Sequence, residues 1–195
     1  MAQCVTPFYA KTNDGLEVPV PCGKCPPCLK RRASFWSFRL LKESERSSSA
    51  WFVTLTYSEK NVPLTDRGFM SLDVRSFQNF MKRLRKKHDR NVRLKYYCAG
   101  EYGTKTWRPH WHMILFNADI GKVDEAWHLG RIHCGDVSGA SIGYTLKYMM
   151  KPPRVPVHGN DDRVKERSLM SKGLGSNYLT DSVVAWHRRA VLENC

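Results

Sequence analysis

No apolar run in the 195-residue chain approaches the roughly 18 residues that a helix needs to cross a bilayer, so a membrane-spanning helix is not expected. A GxxxxGK[ST] loop is also missing, so any phosphoryl chemistry must run without a nucleotide-driven motor in this sequence. No internal repeat is visible. The opening MAQCVTPFYA lacks the charged segment and apolar segment of a secretory signal. Acidic residues are scarce, 18 against 32 Lys and Arg, which leaves a formal net charge of +14. That imbalance points to a polyanionic partner, although a basic surface also serves solubility alone. A reducing cytoplasm is the expected compartment, where the seven cysteines would be thiols or metal ligands, not disulfides.

The length suits one domain with appendages. Residues 1–32 are rich in Pro and Cys and end in Lys30-Arg31-Arg32; residues 33–152 form the core, and 153–195 a tail with a helical pattern at Asp181–Glu193. A helix is expected from Ala33 to Glu45. Trp51–Tyr57 reads as a strand with Phe52, Thr54 and Thr56 on one face. Thr65–Gly68 has turn chemistry. Asp73 can cap a helix with Val74, Phe77, Met81 and Leu84 at helical spacing. Arg93–Tyr102 and Arg108–Phe116 read as two strands of a hairpin. Arg131–Val137 suits a short strand. Ser141–Lys151 suits a helix stopped by Pro152-Pro153, and His158–Ser168 a flexible charged stretch. Strands and helices mixed around a central antiparallel hairpin predict an α+β fold, a sheet with helices packed on it.

Within the second hairpin strand, TWRPHWHMILF sets His110 and His112 on one side with Ile114 and Phe116. Trp111, Met113 and Leu115 take the other side. Both sides are largely apolar, as in a central strand covered on both faces. Two imidazoles there need partners, and either a metal ion or hydrogen bonds in the core would supply them. With the hairpin centred near Lys105, Glu101 falls almost opposite His110. Two nitrogens and a carboxylate would then surround one point with coordination positions left open, as a catalytic ion needs. A register shift of one residue would instead make Glu101 an exposed hairpin carboxylate.

Tyr144 and Tyr148 lie four apart, on one face of the expected helix, with Lys147 beside them and Lys151 one turn on. Such a stripe can simply pack. A phenol can also attack a phosphodiester, and a nearby cation such as Lys147 or a metal would help it ionise.

Cys22, Cys25 and Cys28 form CxxCxxC, and Cys4 could complete a tetrahedral Zn²⁺ site; an unmetallated knuckle or a cluster are the alternatives. Cys98 reads as core. The run Lys82, Arg83, Arg85, Lys86 and Lys87 exceeds what capping a helix C-terminus requires. Together with Lys30, Arg31, Arg32 and Arg108 it is a candidate for phosphate contact.

PHWH resembles the signature of the HUH endonucleases, and YTLKY the YxxKY of their two-tyrosine branch. FVTLTY, CAGEYGTKTWRPHWHMILFN, PCGKCPPC and GLGSNYL are similar to the replication initiators of microviruses, especially the gokushovirus group. The resemblance implies an RRM-like or ferredoxin-like sheet and nicking of single-stranded origin DNA for rolling-circle replication in the bacterial host cytoplasm. It assigns His110 and His112, with Glu101, to a Mn²⁺ or Mg²⁺ ion, Tyr144 and Tyr148 as nucleophiles, and Lys147 as the motif's lysine. The expected product is a 5′-phosphotyrosine and a 3′-hydroxyl primer. Host polymerase and helicase are implied as partners, and the chain is short for such an initiator. Rival readings are a non-catalytic single-strand binding module, using aromatics such as Trp107 and Trp111, or a plasmid initiator or transposase.

Overall fold

The computed structural model describes residues 4–193. Two short strands, β1 (Phe8–Lys11) and β2 (Glu17–Val20), pair as an antiparallel hairpin. Helix α1 (Pro26–Ser44) follows, starting at Pro26 and not at the expected Ala33. The Pro26-Pro27 pair reads as a breaker, yet the first helical turn has no internal use for its N–H groups, so prolines suit it.

Then come β3 (Ala50–Thr56), α2 (Val74–Lys87), β4 (Lys95–Tyr102), β5 (Pro109–Phe116), α3 (Gly121–Ala126) and β6 (Ile132–Asp136). Helix α4 (Gly139–Met150), β7 (Arg167–Met170) and α5 (Asp181–Glu193) complete the chain. Five strands form an antiparallel sheet in the order β6-β3-β5-β4-β7, with β5 in the centre. The fold is α+β, as the sequence predicts.

Alternation along β5 divides the core. Trp111, Met113 and Leu115 face α2, joined by Val53, Leu55, Cys98 and the helix residues Phe77, Phe80, Met81 and Leu84. Asp73 caps α2 by accepting from the amides of Arg75 and Ser76 at 2.9 and 3.2 Å. Gly100 lies opposite Trp111, and a Cβ there would come within 2.5 Å of the indole. The missing side chain therefore lets the Trp111 ring cross its neighbour strand. On the other face, Ile114, Phe116 and Tyr97 pack with Leu40 of α1 and Ile142 and Leu146 of α4.

The stretch His158–Ser168 corrects the expectation of a flexible loop. Asp161 accepts two hydrogen bonds from the Arg163 guanidinium, both at 2.8 Å, and that guanidinium lies 4.4 Å from the Trp107 ring centre. Its last residues enter β7, an edge strand paired to β4, where the Tyr97 hydroxyl donates to Ser168 Oγ at 3.0 Å.

Candidate metal and tyrosine site

The β4–β5 register sets Glu101 opposite His110, and β3 sets Thr54 opposite His112. Since directly opposed residues share a face, all four point to the side covered by α1 and α4. Oxygen Oε1 of Glu101 lies 2.8 Å from His110 Nε2 and 2.6 Å from His112 Nε2. The three donor atoms lie within 4.8 Å of one another.

The protonation pattern decides what this cluster can hold. His110 Nδ1 is 3.1 Å from the Arg108 carbonyl, which can only accept, so Nδ1 carries the proton. A neutral His110 then turns the lone pair of Nε2 toward a carboxylate oxygen. His112 Nδ1 pairs with Thr54 Oγ1 at 3.0 Å, while its buried Nε2 makes no aligned hydrogen bond despite the close Glu101 oxygen. Lone pairs converging on one point call for a cation between them. Two imidazole nitrogens and one carboxylate oxygen fit a divalent transition metal, with Thr54 and the Arg108 carbonyl orienting the rings from behind. Burial would raise the Glu101 pKa, but its contacts with His110, His112 and Tyr148 outweigh this and hold it down at about 2. The carboxylate is therefore charged at neutral pH.

Helix α4 brings the tyrosines to this point. Its N-terminus is closed by a reciprocal cap: the Ser141 amide donates to Ser138 Oγ and the Ser138 amide to Ser141 Oγ. Ile142 and Leu146 anchor the helix in the core, so the neighbouring stripe of Tyr144 and Tyr148 projects over the histidines. The His112 ring centre lies 5.1 Å from Tyr144 and 5.9 Å from Tyr148, nearly parallel to the latter, and Phe52 stacks on His112 from β3. Tyr144 is 39% exposed, whereas Tyr148 is half-buried. Burial, then contact with Tyr144 and Glu101, pushes the Tyr148 phenol well above its ordinary pKa. The Lys147 ammonium lies 3.6 Å from the Tyr144 ring centre and 5.0 Å from that of Tyr148, against ring faces. All these groups open on a cleft of about 350 Å³ rimmed by Lys151, Arg154 and Glu166.

The four cysteines predicted as a group also come together, Cys4 Sγ lying 3.7 Å from Cys25 Sγ. Cys98 is buried, as expected. The basic residues divide. Lys30, Arg31 and Arg32 lie on α1, in the same layer as α4. Lys82, Arg85, Lys86 and Lys87 are exposed on α2, across the sheet from the histidines. Three candidates already have protein partners: Arg83 Nε donates to the Ala126 carbonyl, Lys87 pairs with Glu125, and Arg108 donates to Glu59 and the Tyr57 carbonyl. Thr54 and Arg154 are not among the site residues that the sequence predicts. Alternation in FVTLT places Thr54 on the histidine side, so a signal for it exists; nothing in the sequence marks Arg154 as part of the rim.

Fold and site thus define an α+β protein whose central sheet carries a Glu-His-His cluster beside paired tyrosines. The sequence profile of the family of replication-associated proteins typified by ORF2 matches residues 50–153, a span holding the triad and both tyrosines, and the chain belongs to that family. It is 29% identical over 184 residues to replication-associated protein ORF2 of Spiroplasma virus 4, covering 84% of this chain and 58% of that one. It is 33% identical over 165 residues to replication-associated protein VP4 of Bdellovibrio phage phiMH2K, covering 72% and 50%. With replication-associated protein ORF4 of Chlamydia phage 1 the identity is 26% over 187 residues, covering 82% and 46%. The chain spans about half the length of the curated relatives it matches. No solved structure matches it. No helix among the described residues is long and apolar enough to cross a membrane.

Proposed function

We propose that the protein is an HUH-type initiator of phage rolling-circle replication, which nicks and rejoins single-stranded origin DNA in a bacterial host. The observation that carries this reading is the convergence of Glu101 Oε1, His110 Nε2 and His112 Nε2 beneath the Tyr144 and Tyr148 rings. Glu101, His110 and His112 would hold a Mn²⁺ or Mg²⁺ ion; such an ion supplies positive charge against a non-bridging phosphate oxygen.

The tyrosines perform the transfer. A phenolic oxygen attacks phosphorus as its proton leaves, the bond from phosphorus to the 3′ oxygen breaks, and that oxygen takes up a proton. The products are a 5′-phosphotyrosine and a 3′-hydroxyl that a host polymerase can extend. Rejoining reverses these steps, so no phosphate bond is lost to water. Tyr144, the more exposed phenol, makes the first attack, and Tyr148 is kept protonated until the charge on Glu101 is countered. Lys147 packs against both ring faces, which fixes their orientation and adds positive charge where the strand must lie. The absence of a nucleotide-binding loop fits a need for a host helicase.

The test is a denaturing gel of protein incubated with labelled single-stranded fragments of the cognate phage genome, with Mn²⁺, Mg²⁺ or EDTA. A covalent adduct is expected with metal only. It should fall most in Tyr144→Phe and vanish in the Tyr144→Phe/Tyr148→Phe double variant. Tight binding with no adduct for any fragment or ion would favour a single-strand binding module and overturn the nicking mechanism.

A further inference from the structure

We propose that Cys4, Cys22, Cys25 and Cys28 hold a structural zinc ion that fastens the N-terminal hairpin to α1, at a centre distinct from the Glu101–His110–His112 cluster. The four Sγ atoms lie within 4.8 Å of one another, with Cys4 and Cys25 at 3.7 Å. A tetrahedron of thiolates with Zn–S bonds of about 2.3 Å has edges of about 3.8 Å. The same separation is far too long for a disulfide, whose sulfurs are about 2.05 Å apart, and the cysteines are free. A four-iron cluster places each thiolate on a different iron and spreads them wider than this.

The sulfurs also carry the hydrogen bonds expected of thiolates. The Cys22 amide donates to Cys4 Sγ at 3.3 Å, and the amides of Lys24 and Cys25 donate to Cys22 Sγ at 3.4 and 3.3 Å. Such donors spread thiolate charge and set the turn around a metal. Arg31 and Arg32 lie beside Cys28 and offset the negative charge that four thiolates leave on a divalent ion.

A second, independent observation explains why a metal is needed here. The hairpin has almost no core of its own: Phe8, Tyr9, Leu16 and Val18 are all exposed. Isolated two-stranded hairpins are marginal in water, and small units without a core take their folding energy from disulfides or metals. The ligands come from the segment before β1, the turn after β2 and the first turn of α1, so one ion ties three segments together. Further along, α1 places Trp36 on Tyr97 at 5.3 Å, within the layer that carries the tyrosine helix.

Elemental analysis of the purified full chain checks the assignment. One zinc per chain is expected, retained in a His110→Ala/His112→Ala variant and lost in Cys22→Ser and Cys25→Ser. Cobalt exchanged into the wild-type chain should show thiolate-to-metal charge transfer and the visible bands of a tetrahedral site, a readout that needs no folded cysteine variant. Four freely reactive thiols after growth in added zinc, an iron chromophore, or an octahedral cobalt spectrum would each overturn the proposal.

Discussion

The two faces of the sheet are built from alternate residues of the same strands, yet they do different work. On the α2 face the packing is continuous, and its aromatic polar atoms are paired: Trp111 Nε1 donates to the Tyr57 hydroxyl at 3.0 Å, which pairs with Ser76 Oγ at 2.6 Å. The α4 face is apolar only toward Phe116 and Ile114; toward the start of β5 it gives way to His110, His112 and Glu101. Burying that cluster without a cation costs stability. A protein can hold it because the opposite face supplies the core, so stability and chemistry are segregated within one strand at a period of two residues.

The sharpest way to break this comparison is to truncate neighbours on β5. Trp111→Ala should cost roughly 3–5 kcal/mol in urea unfolding. His112→Ala should cost far less, measured without metal, because it relieves a buried unmatched nitrogen. Equal losses would mean that the faces do not divide the work. A smaller effect is expected at Thr54→Val, which keeps the shape of the side chain but removes the group that orients His112. Affinity for Mn²⁺ should fall by roughly tenfold or somewhat more, by calorimetric titration, with little change in the urea midpoint.

Acid separates the faces more gently. The folded-state pKa of Glu101 is depressed from 4.5 to about 2, so its contribution is complete above about pH 4.5 and is lost as pH falls toward 2. Asp161, also held low by Arg163, weakens the fold over the acid range as well. The informative quantity is therefore the difference between the wild type and Glu101→Gln. The wild type should lose more stability than the variant between pH 5 and pH 3, and parallel curves would remove Glu101 from the cluster's electrostatics.

Much of the site is legible in the sequence because it depends on short-range periodicities. The pairing of Glu101 with His110 follows from a hairpin centred near Lys105, and the tyrosine stripe from a four-residue spacing. Elements fixed by distant contacts are not readable in this way. The β7 strand, RSLM, has little apolar signal and exists because β4 offers it an edge. The start of α1 is set where Cys25 and Cys28 turn the chain, which the Pro26-Pro27 pair disguises. The basic run on α2 is visible as charge, but its place across the sheet from the histidines depends on how Phe77 and Phe80 pack.

That placement gives the smallest expected effect. A strand whose phosphate is bound at Glu101, His110 and His112 lies on the α4 face, beside Lys30 and Arg31 of the adjoining α1. Each phosphate contact removed should lower the slope of log affinity against log salt by about 1. Lys30→Ala/Arg31→Ala should therefore reduce the slope for single-stranded DNA measurably. Lys82→Ala/Lys86→Ala carries the same change in net charge, but its residues project from the opposite layer, so its slope should stay close to that of the wild type. Net charge alone would make the two double variants equivalent. If their slopes coincide, DNA binding follows the overall charge of the protein and not its two-faced construction.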